Sequence, residues 1–480
     1  MRKSILCLTL LLAMASCKKQ ETVIVNEEII SLQPYTPEAV ENAVIYEVNI
    51  RQYSNEGTLT AFAKDIPELK KLGVKVLWIM PIQPISMTKR KATGDKSVED
   101  IQDPEERKKY LGSYYAISDY MAVNPEYGTL EDFKNLVKTA HENGMYVILD
   151  WVANHTGWDH KWITEHPEYY QKNAKGEVTD PLNPETGESW GWTDVAHLVY
   201  EDQNTGLYEA MYNEMSFWVN ETHIDGFRCD VADNVNIKFW EFSIPKLKEI
   251  KPLFMLAESN KDYLLDGLFD MGYGWETHHI MNEIAQGRKN VSDFDKALQR
   301  IDSVYQKDDI FMNFTSNHDE NSWNGTEYER LGDAVETFAV LTYVMQGMPL
   351  IYNGQEYDFN RRLKFFEKDS ISHTKGRMFD IYKKLGKLKN ASLALDGGVN
   401  KASYNRLSTS SDTKILAFER EKDGQKVIFI GNLSKEPVTF SIDLKGEFET
   451  YMAEGTTILS EEQLTFRPWE YWILVDMPEK

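Results

Sequence analysis

Four apolar, strand-like runs in this sequence each end in side chains that carry charge or protons. The run 146–149 leads into Asp150 and then Asn154 and His155; the run 224–227 leads into Arg228 and Asp230. The run 254–257 leads into Glu258, and the run 311–314 into Asn317, His318 and Asp319. Taken singly, an Asp at a strand end is more often the N-cap of the next helix than a catalyst. Four such ends in one chain need another reading, because parallel strands closed into a barrel open their C-terminal ends on one shared cavity. Carboxyl and imidazole groups gathered there exchange protons and steady developing charge. Arg228 and Asp230 stand two residues apart on one strand and so face the same side, where the guanidinium favours the ionised carboxylate. Cys229, between them, faces away; as a lone Cys with apolar flanks it reads as structural.

The elements that would position these groups alternate between strand and helix. A strand-like run at 43–50 is followed by Phe62, Ile66, Leu69 and Leu72, which fall on one face of a helix stopping at Gly73, and then by a strand at 74–80. A second helix starts at Thr129 with Asp132 three residues on, the spacing of a capping box, and ends near Gly144. Further apolar runs at 224–229, 253–257, 310–314 and 349–352 extend a parallel sheet covered on both faces. The fold class is therefore α/β, a (β/α)8 TIM barrel. From Asn154 to about Glu209 the pattern breaks into a Trp-, Tyr-, Gly- and Pro-rich stretch too long for an ordinary connection, a loop subdomain at about 156–209 after the third strand. Beyond Gly397 short β-type runs replace helical periodicity, so residues 397–480 read as a C-terminal antiparallel β-sandwich and 37–396 as the barrel.

A chain of 480 residues with 42% apolar and 27% charged residues has the composition of a folded body large enough for two domains. A formal net charge of −23 opposes binding to a phosphate backbone, so nucleic acid is excluded as a partner, whereas neutral sugars are indifferent to it. Arg2 and Lys3 followed by an apolar stretch from Ile5 to Met14 form a targeting segment too short to span a bilayer. That stretch runs into Ala15, Ser16 and Cys17, which resembles the lipobox of bacterial lipoproteins. The expectation is an exported protein with residues 1–16 as signal peptide and 17–36 as a polar tether, held to a bacterial membrane by lipid on Cys17.

The strand-end segments DWVANH (150–155), GFRCD (226–230), AES (257–259) and SNHDEN (316–321) resemble those of glycoside hydrolase family 13, the α-amylase family. GVKVLWIMPI (73–82), SYYAISDY (113–120) and GMPLIYNGQE (347–356) add to the resemblance, which covers about residues 40–360 in the family's order. It implies a retaining glycosidase acting on α-glucans such as starch and malto-oligosaccharides through a covalent glycosyl-enzyme. Such a mechanism sets two carboxyls about 5 to 5.5 Å apart across the scissile bond. On this reading Asp230 is the nucleophile, Glu258 the general acid/base with a raised pKa, and Asp319 the third acid, ionised and binding sugar hydroxyls. His155 and His318 match the family's hydrogen-bonding histidines, Arg228 pairs with the nucleophile, and Tyr115 stacks its ring under the sugar. Asp150 organises the site rather than touching substrate.

The sequence also departs from the family. Where α-amylases commonly carry Lys-His after the nucleophile strand, this chain has Asp233 and Asn234. No cofactor is required; Ca²⁺ is the ion the resemblance offers, and Asn154 is the one metal candidate with family support. His197 stands where the family has a carboxylate, and imidazole is a poor substitute for the oxygen that Ca²⁺ prefers. Val231 after the nucleophile is shared with relatives that cut α-1,6 bonds. The neighbouring activities, α-glucosidase, α-1,6-acting enzyme and glucanotransferase, share one covalent intermediate and differ in subsites and acceptor. A non-catalytic carbohydrate-binding or transporter-associated barrel is the reading from another class, and the presence of all three acids opposes it.

Overall fold

Eight short parallel strands form the wall of a barrel: β1 Val44–Val48, β2 Val74–Ile79, β3 Tyr146–Trp151, β4 Gly226–Cys229, β5 Phe254–Ala257, β6 Gly272–Tyr273, β7 Phe311–Asn313 and β8 Met348–Tyr352. The computed structural model describes residues 32–93, 96–201, 205–453, 455–460 and 463–476, so the targeting segment and Cys17 lie outside the described residues. In the sheet β1 pairs with β2, the order runs on to β5, and β6, β7 and β8 return to β1. The ring closes between β5 and β6, where a parallel bridge joins Leu256 to Met271 and the Ala257 N–H donates to Met271 O at 2.9 Å.

Alternation along these strands sorts their side chains between two compartments. Ile45, Val76, Trp78, Ile148, Leu256 and Tyr273 fill the interior. Tyr46, Leu77, Leu149, Phe227, Cys229 and Met255 pack outward, in the cluster shared with the helices. Both faces are covered, which is why the strands read as continuous apolar runs rather than alternating ones. The same period places Glu47, Asp150 and Arg228, each two residues beyond an inward position, in the upper interior, where all three are fully buried. Below them β4 passes so close to β5 that a Cβ on Gly226 would sit 1.8 Å from Phe254 O, a contact only glycine avoids.

The helix Leu130–Glu142 begins at the expected capping box, Thr129 with Asp132, and buries Phe133, Leu136, Val137 and Ala140. The expected single helix before Gly73 is instead two, Leu59–Ala63 and Ile66–Lys71, with Pro67 in the first turn of the second. Proline has no N–H to continue the first helix, so the shared apolar face survives while the helix breaks.

Two long excursions rise from the C-terminal ends of strands. The one after β3 is pinned by a small hairpin that pairs His155–Gly157 with Val195–His197. The other, after β2, carries a two-residue hairpin at Lys91–Ala92 and Lys96–Ser97 and the short helix Pro104–Arg107. Past the last barrel helix, Arg377–Ala391, six antiparallel strands between 405 and 476 form a sheet. A two-stranded ribbon, Val438–Phe440 with Leu464–Phe466, covers it around Ile415, Ile428, Ile430 and Phe440. Buried Arg420 ties this module to the barrel through Val344 O at 3.1 Å and Asp396 O at 2.8 Å. Among the described residues no helix is long and apolar enough to cross a membrane.

Candidate active site

Arg228, fully buried at the top of β4, is the hub of the acid cluster. Its Nη1 donates to Asp150 Oδ1 and to Asp230 Oδ1, each at 2.9 Å. Its Nη2 lies 2.9 Å from Glu258 Oε2 without the alignment of a hydrogen bond, so Nη2 has charge contact but no hydrogen-bond acceptor. One guanidinium therefore faces three carboxyl groups. Its own plane is held against the Trp78 ring, 4.8 Å from guanidinium carbon to centroid, and Nε donates to Tyr273 Oη at 3.1 Å. Trp78 Nε1 in turn donates to Asp150 Oδ2 at 3.0 Å. Asp150 thus serves as the anchor of Arg228, from inside the barrel and away from the cavity.

Immediately after Asp230 the backbone of Val231 turns left-handed, with φ 35° and ψ 51°. A β-branched residue rarely occupies that region, and holding it there costs about 1–3 kcal/mol. The turn directs the Val231 N–H onto Glu258 Oε2 at 2.7 Å. Strain next to Asp230 thus fixes the orientation of the Glu258 carboxyl. Burial and then the charge of Glu258 push the Asp230 carboxyl well above its ordinary range, against the pull of Arg228. Burial likewise raises Glu258, with Arg228 opposing and Asp319 adding to the rise. From sequence alone Arg228 would keep Asp230 ionised. In the structure desolvation and the second acid outweigh it, so the pair is organised to hold one proton between them.

Across the cavity, His318 joins β1 to the rim. Its Nδ1 lies 2.5 Å from Glu47 Oε1, its Nε2 lies 2.8 Å from Tyr115 Oη, and its Nε2 is 3.4 Å from Asp319 Oδ2. Burial alone would lower its pKa, yet the Asp319 and Glu47 carboxylates prevail and raise it to about 9. As a cation it donates from both nitrogens, leaving the Tyr115 hydroxyl to donate to Asp150 Oδ2 at 3.2 Å. The relay Glu47, His318, Tyr115, Asp150, Arg228 is continuous. Tyr115 stands with its ring at 22° to that of His318 and 5.4 Å from it. Asp319 reaches furthest into solvent, its side chain 39% exposed.

His155 lies on the other wall, buried and held neutral, its pKa lowered to about 3 by burial and by His197. The hairpin pairs His155 with His197 directly, and burial lowers His197 to about 4. Asn154 Oδ1 and His197 Nδ1 are both buried without a hydrogen-bond partner. An amide oxygen and an imidazole nitrogen do not supply the six to eight oxygens that Ca²⁺ takes. Nor is any group of three or more His, Cys, Asp or Glu placed to hold a metal ion among the described residues. Asn154 and His197 by themselves do not make a calcium site. Asp233 and Asn234 lie beyond the nucleophile turn, where they line a separate hollow of 400 Å³ with His197 and Tyr263.

Asp230, Glu258, Asp319, His155, His318 and Tyr115 all open on one cavity of 760 Å³. Asn154 and Asp150 are not among its lining residues, and Arg228 acts from beneath it. Five aromatic side chains that the sequence reading did not single out complete the walls: Trp190 and Trp192 from the excursion after β3, Trp323 from the loop after β7, and Phe365 and Phe366 from the loop after β8. The Trp-rich composition of the excursion after β3 was the available signal for Trp190 and Trp192. Glu47 was also passed over, because a lone acid inside an apolar strand had no visible partner until His318 was placed against it. A larger hollow of 870 Å³ lies between the barrel and the C-terminal sheet; of its acids, Glu336 accepts from the Tyr471 hydroxyl, Asp358 from the Tyr328 hydroxyl, and Glu470 pairs with Arg467.

Comparison with known proteins agrees with this geometry. Residues 48–389 match the family model described as alpha amylase, catalytic domain. The chain is 22% identical over 473 residues to the alpha-amylase MalA of Haloarcula japonica, covering 93% of this chain and 65% of that protein. It is 25% identical over 484 residues to alpha-amylase 3 of Dictyoglomus thermophilum, covering 84% of this chain and 87% of that one. The solved structure of an alpha-amylase from Lactobacillus plantarum superposes with a TM-score of 0.78 at 28% identity, over 92% of this chain and all of the other. With the match spanning most of the barrel and the acids on its C-terminal mouth, the chain belongs to the alpha-amylase family of glycosidases.

Proposed function

We propose that this protein hydrolyses α-glucans and malto-oligosaccharides with retention of configuration, Asp230 being the nucleophile and Glu258 the general acid/base. One observation carries the division of labour. Arg228 makes an aligned hydrogen bond to Asp230 but only a charge contact to Glu258. In this reading the aligned bond favours the anion at Asp230 and leaves the proton to Glu258 for the donating step, against the burial and the Glu258 charge that raise Asp230.

The Asp230 oxygen attacks the anomeric carbon as Glu258 passes its proton to the departing glycosidic oxygen, so the glycosyl ester forms as the C–O bond breaks. Water then gives a proton back to Glu258 and its oxygen displaces Asp230, restoring both carboxyls. Asp319 and the His318 cation hold hydroxyls of the same sugar, and Tyr115 offers a ring to its C–H face. The Val231 N–H, by holding Glu258 Oε2, leaves Oε1 to carry the proton.

A 5-fluoroglucosyl fluoride incubated with the enzyme should add one glycosyl mass to the peptide containing Asp230, and a label on any other residue would sink the nucleophile assignment. Asp230→Asn should bind maltotriose while losing roughly 10⁴-fold or more in kcat. Products from starch, pullulan, isomaltose and maltotriose distinguish this hydrolase from its neighbours: disproportionation outrunning hydrolysis on maltotriose would make it a glucanotransferase. Export as a lipoprotein through Cys17 belongs to the same proposal, and rests on the lipobox-like sequence ending at that residue. A Cys17→Ala protein that still fractionates with membranes would contradict it.

A further inference from the structure

We infer that the cleft is a dead end on the non-reducing side of the scissile bond, walled by Trp323 and Phe365, so that the enzyme takes α-glucan chain ends rather than chain interiors. The inference rests on the assignment of Asp230 and Glu258 above. Glu258 must face the bond that breaks, so the leaving chain lies on the side of Glu258 and Val231. The rest of the glycone then runs the opposite way, past Tyr115 and Asp319.

That side is aromatic. The Phe365 ring is nearly parallel to that of Tyr115, at 11° with centroids 6.5 Å apart, and it is braced edge-on by Tyr114 at 4.8 Å. Trp323 packs against Phe365 at 5.0 Å and 43° and still leaves 51% of its surface exposed on the cavity wall, where a sugar face can stack on it. Its indole N–H donates to Asp319 Oδ1 at 3.1 Å. The reach comes from a π-helical turn, Glu320–Asn324, that starts directly after Asp319, a local widening that recurs at functional sites. Trp323 is thus bonded to the acid that holds the sugar and stacked on the next ring along the glycone path.

The loops carrying these rings are joined where a through-going chain would need them apart. Leu111 N–H donates to Phe366 O at 2.7 Å, Tyr110 and Glu367 form an antiparallel bridge, and Arg51 donates both to Gly112 O at 2.9 Å and to Phe365 O. The excursion after β2 and the loop after β8 are therefore hydrogen-bonded to each other beside these rings. On this inference the bonds lie across the path of a polysaccharide interior, whereas a chain end stops against the rings.

The test compares p-nitrophenyl maltoheptaoside with the same compound blocked at its non-reducing end by a 4,6-O-ethylidene group. The wild-type protein should cleave the free compound at least tenfold faster, by kcat/KM, and release short saccharides from its non-reducing end. Trp323→Ala should narrow that ratio and lengthen the products. Trp323→Phe, which keeps a ring but loses the N–H, should keep the ratio while lowering kcat through Asp319. Equal cleavage of both compounds by the wild type, or an unchanged ratio in Trp323→Ala, would overturn the inference. A wild-type protein inert toward both would refute the catalytic reading itself, and this inference with it.

Discussion

Glu47 and His318, separated by 271 residues in the chain, meet in the buried top of the barrel with Oε1 2.5 Å from Nδ1. The first strand thereby reaches a residue of the catalytic rim without entering the cavity. Glu47 Oε2 has no hydrogen-bond partner, so the imidazole is the main neutralising contact for a carboxyl whose burial raises its pKa. Each stabilises the charged form of the other.

Replacing Glu47 by Gln keeps the shape and removes the charge. Asp319 also favours the His318 cation and Arg228 opposes it, so loss of Glu47 should lower the His318 pKa from about 9. A His raised in the folded state stabilises the fold fully below its unfolded pKa of about 6.5 and loses that contribution as pH rises through the folded value. The wild-type melting temperature should therefore fall between pH 7 and 9, and in Glu47→Gln the fall should begin at lower pH. The alkaline limb of kcat/KM should shift acidward by about one unit, which corresponds to about 1.4 kcal/mol. Superimposable pH profiles would deny Glu47 this positioning role.

Much of this site was legible before any coordinates. Asp230, Glu258, Asp319, His155 and His318 end apolar runs, and a parallel barrel gathers such ends. The sixth strand was not legible, because Gly272–Tyr273 is two residues long and no run of that length exceeds chance. The break before Pro67 was in the sequence but was overridden by a consistent apolar face. Glu47 and Trp323 were invisible for a different reason. Their meaning lies in contacts with His318 and Asp319, made by strand register in one case and by a π-helical turn in the other, and neither leaves a periodic trace.

Arg228 is the buried charge whose removal should cost most. Arg228→Met leaves Asp150, Asp230 and Glu258 without their shared cation, and stranding buried charge in this way costs about 3–5 kcal/mol. The direction with pH follows from the raised carboxyls. A group with a folded pKa above its unfolded one takes stability away as pH rises, and losing Arg228 raises Asp230 and Glu258 further. Calorimetry should show Arg228→Met melting lower than wild type at pH 7.5 and recovering part of the gap at pH 5. A gap that is constant across that range would mean the loss is packing, not charge.

Chelation should be without effect. With His197 neutral and Asn154 Oδ1 the nearest candidate ligand, the hairpin at the base of the excursion is held by backbone pairing and burial. The melting temperature in millimolar EDTA should match that in millimolar CaCl₂, as should kcat/KM on maltotriose. A rise of several degrees with calcium would show that oxygen ligands are recruited from elsewhere and that the donor argument fails.

Val231 offers a separation of stability from activity. Its left-handed backbone is unfavourable for valine and ordinary for glycine, so Val231→Gly relieves strain of about 1–3 kcal/mol. Against this stands about 0.5–1 kcal/mol from the greater freedom of glycine in the unfolded chain, together with the loss of a half-buried side chain. Stability should therefore change little. Activity should not be spared, because the same backbone fixes the N–H that grips Glu258 Oε2 at 2.7 Å. A looser turn lets Glu258 swing, which should lower kcat several-fold with KM nearly unchanged. The defect should shrink on substrates with a nitrophenolate leaving group, whose departure needs little proton donation. If kcat falls equally on activated and unactivated substrates, the turn serves Asp230 rather than Glu258, and the strain at Val231 has been assigned to the wrong partner.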